Sequence, residues 1–189
     1  MSQPEIRPKL RTRFRSLPLG RVYGLLETGP VVLVTTAGEG PPDAMAMSWH
    51  TMMEFEPPLV GCVMSDRDYT ASRLLRSKEC VIAIPTVEIA GKVVRCGNTS
   101  GRDVDKFARF GLTALPALRV KAPLVAECYA NLECRLFDKR LAPRYGFIVL
   151  EVVKAWIDPA VKDPRTIHHR GHGKFMVAGR TIRIASRMK

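Results

Sequence analysis

The chain of 189 residues has the length of one domain with appendages, and its 46 % hydrophobic content is enough to bury a core. Thirty basic residues stand against 18 acidic ones, a net charge of +12 that attracts anions such as phosphates, nucleotides or nucleic acid. The longest apolar runs, VVLV at 31–34 and VIAI at 81–84, fall far short of a membrane span. Five scattered cysteines without a C-x-x-C pair make a disulfide framework unexpected and fit free thiols in a reducing, cytoplasmic compartment.

The opening MSQPEIRPKLRTRFRSLPLG lacks the apolar centre of a signal peptide and carries Arg or Lys at 7, 9, 11, 13 and 15. It reads as a basic arm over 1–16, ahead of a single domain over 17–189. Pro30 opens the strand VVLVTT, which ends in the turn AGEGPPD (37–43). DAMAMSWHTMMEF follows with partial alternation, and PPLVGCVMS then reads as a buried strand. DYTASRLLRS (68–77) has a helical face built on Leu74 and Leu75, with Arg73 and Arg76 outside it. ECVIAIP (79–85) is strand-like.

TVEIAGKVVRCGN (86–98) has the pattern of a short amphipathic helix stopped by Gly97. GRDVDKFARFGL spaces Val104, Phe107, Ala108 and Phe110 for another, with Asp103 as its N-terminal charge and Gly111 as its C-cap. APLVAECYANLECRLFDKRLA (122–142) and YGFIVLEVVKAWID (145–158) are long for strands, so bends or bulges are expected in them. The segment from 168 onward reads as a hairpin turned at AGR (178–180) after FMV. Strands dominate and helices are few, which predicts a mainly β fold, an antiparallel barrel rather than a doubly wound sheet.

The chain has no G-x-G-x-x-G after a strand, no Walker A loop, no G-x-S-x-G elbow and no H-E-x-x-H. Four polar clusters remain. In SDRDYTASR (65–73), Ser65, Thr70 and Ser72 offer hydroxyls, and Arg67 and Arg73 offer guanidinium forks where a strand hands over to a helix. That pattern fits a phosphate site, and equally helix capping with solvent-exposed arginines. GNTSGRDVDKF (97–107) is either a donor-rich loop for an anionic ligand or a capped helix start. HHRGHG (168–173) holds three of the four histidines without a cysteine or carboxylate at ligand-like spacing, so a metal is disfavoured. It reads as a surface loop or as a flexible loop beside a cofactor. SWHTMM (48–53) is either barrel packing or a strand edge beside a heteroaromatic ring walled by polarizable methionines.

Taken in order, PVVLVTT, MSWHTM, F-x-PPLVGCV, ECVIAIPT and GN-x-SG-x-x-x-DKF resemble the flavin reductase-like family, and its flavoredoxin-type members in particular. APLVAECYANLECRL, Y-x-F-x-V-x-EVVKAWID and HHRGHGKFMVAGRTI extend the resemblance over residues 17–184. It implies a homodimeric FMN-binding split β-barrel with Greek-key antiparallel strands and a few short helices. It implies non-covalent FMN (or FAD) as cofactor, NAD(P)H as reductant and a redox partner protein as a further acceptor. Carried over by position, Met47, Ser48, Trp49, His50 and Thr51 would meet the flavin ring, and Ser65, Arg67, Thr70 and Ser72 the ribityl chain and phosphate. Ser100, Gly101, Asp105 and Lys106 would lie beside the flavin, and the loop from His169 to His172 at its face. Hydride transfer from nicotinamide to flavin asks the protein mainly to position the rings, in keeping with a sequence that has no catalytic triad. A flavin-carrying electron shuttle without NAD(P)H turnover is the alternative. A nucleic-acid-binding barrel is unlike this sequence, in which only 7 % of residues are aromatic.

Overall fold

The computed structural model describes residues 14–22 and 29–186, so most of the basic arm lies outside the described residues. Twelve strands and four α-helices are present among them. The main sheet holds β1 (Arg15–Leu17), β2 (Val32–Thr36), β3 (Asp43–Met47), β4 (His50–Phe55), β5 (Pro58–Val63), β6 (Glu79–Ile84), β9 (Ala130–Asp138) and β10 (Phe147–Ile157). Two small ladders join β7 (Ala114–Leu115) to β8 (Leu124–Val125), and β11 (Ile167–His169) to β12 (Phe175–Val177). The helices are α1 (Tyr69–Ser77), α2 (Ala90–Gly97), α3 (Lys106–Phe110) and α4 (Ala142–Tyr145).

Neighbouring strands run β3, β2, β6, β9, β10, β5, β4, all antiparallel, with β1 beside the C-terminal half of β10. The two edge strands, β3 and β4, are consecutive in the chain and separated only by Ser48 and Trp49. A flat sheet of seven strands would hold its edges roughly 29 Å apart, whereas the link can span only about 11 Å. The sheet therefore curls until its edges meet at that end. No ladder joins β3 to β4 among the described residues, so the barrel is split along this seam.

Side-chain alternation sorts the strands between two cores. Val32 and Val34, Cys80, Ile82 and Ile84, Leu132 and Cys134, and Leu150 and Val152 fill the barrel interior, with Leu74 of α1 packed among them. Leu33, Val81 and Ala83 point outward, where Val93 and Cys96 of α2, Phe107 of α3 and Val120 cover them. That double coverage explains why β2 is buried along its whole length. The bulges expected in the long strands are present. β10 skips Val153 between Val152 and Lys154 in its register with β9, which resets the alternation so that Ala155 returns to the interior.

The structure differs from the sequence reading in five places, the first being Arg73, which is buried against Pro41 O and the Tyr69 hydroxyl and does not lie outside α1 as expected. DAMAMSWHTMMEF is two strands meeting at the seam. The 122–142 segment breaks into β8 and β9 because a turn, closed by Cys128 N–H on Val125 O, intervenes. The C-terminal hairpin turns at Arg170–Lys174, not at 178–180, because Gly171, His172 and Gly173 all adopt positive φ there. Asp105, not Asp103, caps α3, its carboxylate accepting from Ala108 N–H at 3.1 Å; Gly111 ends that helix in the left-handed conformation, as expected.

Candidate functional site

Two cavities adjoin on the outer face of the sheet near the seam. The first, about 430 Å³, is lined by Val31, Ala46, Met47, Ser48, Val93 and Val94 together with His169, Gly173 and Phe175 of the β11–β12 hairpin. The second, about 220 Å³, gathers Arg67, Asp68, Thr70, Asn98, Thr99, Ser100, Gly101 and Lys106. Gly97 and Asn98 line both, so the two form one groove that is apolar at one end and polar at the other, where Lys106 is paired with Asp43 and Arg67 is the cation without an ion pair among the described residues.

The polar end rests on a buried ion pair. Lys106, 3 % exposed, places Nζ 3.1 Å from Oδ1 of Asp43, which is itself 2 % exposed. The same ammonium donates to Ala44 O at 2.7 Å and to Cys96 O at 3.1 Å. The Thr70 hydroxyl donates to the other Asp43 oxygen. Gly101 lets the 98–101 loop close over this carboxylate, since a Cβ there would collide with it. The S-G-x-x-x-D-K pattern thus has a direct physical reading: glycine for close approach, Asp105 for the helix cap, and Lys106 as counter-ion of Asp43.

The sequence-derived candidates separate accordingly. Met47, Ser48 and His169 line the apolar end, and Arg67, Thr70, Ser100, Gly101 and Lys106 the polar end. Trp49 is 70 % exposed at the seam and Thr51 is exposed on β4. Ser65 borders a separate cavity with Asp66 and Lys139, the Ser72 hydroxyl donates to Tyr69 O, and His172 is exposed in the hairpin turn. Arg73 does not line the groove and enters the wall of another cavity. Asp43, Asn98 and Phe175 were missed as candidates. The signal for Asp43 was a single acid opening an otherwise apolar strand. Phe175 had no such signal, since it faces His169, with ring centroids 5.2 Å apart, through a hairpin register that the sequence reading misplaced.

His50 ties the seam together. Its Nε2 lies 2.6 Å from Pro30 O, and since a carbonyl only accepts, Nε2 carries the proton. Nδ1 is buried with no hydrogen-bond partner among the described residues, and burial holds the imidazole pKa below its ordinary 6.5. The unfolded chain therefore binds this proton more readily, so stability is complete above about pH 6.5 and declines as pH falls from there toward the folded-state pKa. His50→Gln, which keeps a donor for Pro30 O, is expected to flatten that part of the stability–pH curve. Urea unfolding between pH 7 and pH 5 measures it, and an unchanged slope would assign the dependence to other groups.

An antiparallel sheet curled into a barrel and split at one seam is the architecture of the flavin reductase-like split barrels. The flavin reductase like domain family matches residues 26–175, and the chain belongs to that family. It is 33 % identical over 185 residues to the uncharacterized protein YddH of Escherichia coli K12, covering 90 % of this chain and 98 % of that one. Among solved structures, it resembles an FMN-binding domain of a flavin reductases-like enzyme from Shewanella baltica OS155. That similarity has 27 % identity and a TM-score of 0.85, over 91 % of this chain and 97 % of the other. The flavoredoxin of Desulfovibrio vulgaris (Miyazaki F) shares the fold at 22 % identity and TM-score 0.76, over 84 % and 91 % of the two chains.

Proposed function

We propose that this protein is an FMN-dependent oxidoreductase that takes hydride from NAD(P)H and passes electrons to a further acceptor. The observation that carries the reading is the graded groove, whose apolar end suits a fused ring and whose cationic end suits a phosphate. A flavin bound there supplies N5 as the hydride acceptor. On this reading Met47 and Ser48 wall the ring, and Asn98 stands where ring and ribityl chain meet. Arg67, whose guanidinium has no hydrogen bond or ion pair among the described residues, grips the phosphate with Thr70 and Ser100 beside it. Lys106 acts from beneath, holding Asp43 and the 98–101 loop in place. The hairpin bearing His169 and Phe175 flanks the face open to a nicotinamide.

A homodimer fits the same reading, because Trp49 just before edge strand β4 and Met53 and Phe55 on it expose large apolar surface. A cytoplasmic setting is supported by five free, buried cysteines. No helix among the described residues is long and apolar enough to cross a membrane.

Purified protein is expected to bind FMN at one site per chain, with Arg67→Ala weakening the affinity about tenfold. Fluorescence titration of the flavin-stripped protein measures this, and an unchanged affinity removes Arg67 from the site. Anaerobic addition of NADH or NADPH is expected to bleach the flavin absorbance. A protein that binds FMN but is not bleached would be an electron carrier instead of a reductase.

A further inference from the structure

Asp163 is the last acid in the chain, and the 26 residues after it hold seven Lys or Arg and three His. The densest part of that segment is the tip of the β11–β12 hairpin, where Arg170, His172 and Lys174 are all exposed. The ladder sets His169 opposite Phe175, and Arg170 N–H donates to Lys174 O at 2.8 Å, so Arg170 and Lys174 face each other at the next step. Like charges directly opposite on antiparallel strands repel and destabilise the pair. Neither side chain has a hydrogen bond or ion pair among the described residues, and no acid lies in the hairpin to relieve the repulsion. Lys174 N–H closes the turn on Gly171 O at 3.0 Å, and positive φ at 171, 172 and 173 leaves His172 at the apex. An anion across the tip would replace this repulsion with charge-assisted hydrogen bonds.

The tip stands at the mouth of the groove. His169, Gly173 and Phe175 line the apolar end, and strand alternation puts Arg170 and Lys174 on the opposite, solvent side of the same hairpin. His172 lies three residues beyond His169, a step of at most about 11 Å. A dinucleotide whose nicotinamide enters beside His169 and Phe175 is long enough to carry its adenylate half over the apex to the cation pair. We propose that Arg170 and Lys174, with His172 at the apex between them, clamp the 2′-phosphate of NADPH and so select NADPH over NADH. The clamp rests on the hydride-transfer reading for the place of the nicotinamide, and on the opposed cations for its charge. A 2′-phosphate suits it better than the pyrophosphate that both dinucleotides share. It is a monoester with close to two negative charges and three free oxygens, enough to meet a guanidinium and an ammonium together.

The test is a calorimetric titration of FMN-loaded wild-type protein and the double variant Arg170→Ser/Lys174→Ser with NADP⁺ and NAD⁺, the oxidised forms, which bind without turnover. The wild type is expected to bind NADP⁺ about tenfold tighter than NAD⁺, and the variant to bring the two affinities within about twofold of each other. Equal or reversed affinities in the wild type, a preference that survives in the variant, loss of both dinucleotides alike, or binding of neither overturns the clamp. The flavin reading still stands in each of those cases, since FMN has bound. If FMN does not bind, the flavin reading falls, and adenosine 2′,5′-bisphosphate against AMP decides on the same two proteins. Tighter binding of the bisphosphate that the variant loses upholds the clamp, and every other result overturns it.

Discussion

Replacing Lys106 by methionine is expected to destabilise the protein by about 3–5 kcal/mol, the range for breaking one side of a buried ion pair. The loss has three sources. Asp43, 2 % exposed, keeps a carboxylate with no cation within reach, and Ala44 O and Cys96 O each lose their ammonium donor. The Thr70 hydroxyl still donates to Asp43, but a neutral donor cannot replace a counter-charge. The double variant D43N/K106M removes both charges and is expected to recover a substantial part of the loss, because the penalty is the orphaned anion and not the absence of attraction. Urea denaturation of the four proteins in the cycle measures the coupling. Equal destabilisation in the single and double variants would mean that the pair is screened in solution and does not hold the loop. Since the same ammonium underlies the 98–101 loop, the folded fraction of K106M should also bind FMN more weakly than wild type.

The fold was largely legible because its cues are local. The short apolar runs in VLVTT and ECVIAI, the turn at AGEGPPD, and Gly111 after FARF each act through neighbours within a few residues. The seam was not legible. DAMAMSWHTMMEF alternates only in part, and nothing in that stretch says that residues 43–47 and 50–55 belong to opposite edges of one sheet. That fact depends on the pairing of β2 with β6 and of β5 with β10, which are contacts between distant segments. The hairpin was misplaced for a related reason. AGR and RGHGK are both plausible turns, and the choice falls to the register that sets Ile167 opposite Val177.

The candidate site was legible by segment more than by residue. MSWHT, SDRDYT and GNTSGRDVDK all reach the groove, but only part of each faces it. In SDRDYTASR, Arg67, ahead of the helix, and Thr70 line one cavity while Arg73 enters the wall of another, a division that a linear string of donors does not display. Asp105 and Lys106 stand out as a charged pair in sequence. Yet the first caps a helix and the second is buried against an acid 63 positions earlier in the chain, which no local pattern announces.

Glu133→Ala is expected to cost at least about 4 kcal/mol, since it strands four donors that the wild-type carboxylate satisfies, at about 1–3 kcal/mol for each that remains buried. Glu133 is fully buried on β9 and accepts from the backbone N–H groups of Leu118, Arg119 and Val120 and from the Trp156 indole at 2.7 Å. It thereby fastens the 116–121 loop to the sheet, a tie that Arg135 reinforces from outside by donating to Arg119 O. Glutamine retains one carbonyl oxygen but turns an N–H₂ toward groups that are themselves donors, so E133Q should lose roughly half as much as E133A. At about 2–4 °C per kcal/mol for a chain of this size, E133A should melt roughly 8–16 °C lower. Val120 shares the outer core with Phe107 of α3, so a freed loop also loosens the helix that carries Lys106. Hydrogen exchange is expected to quicken at 118–120 and in α3 of E133Q while the centre of β2 stays protected. Quickening spread evenly over the whole sheet would show instead that Glu133 stabilises the barrel globally and does not act through this loop.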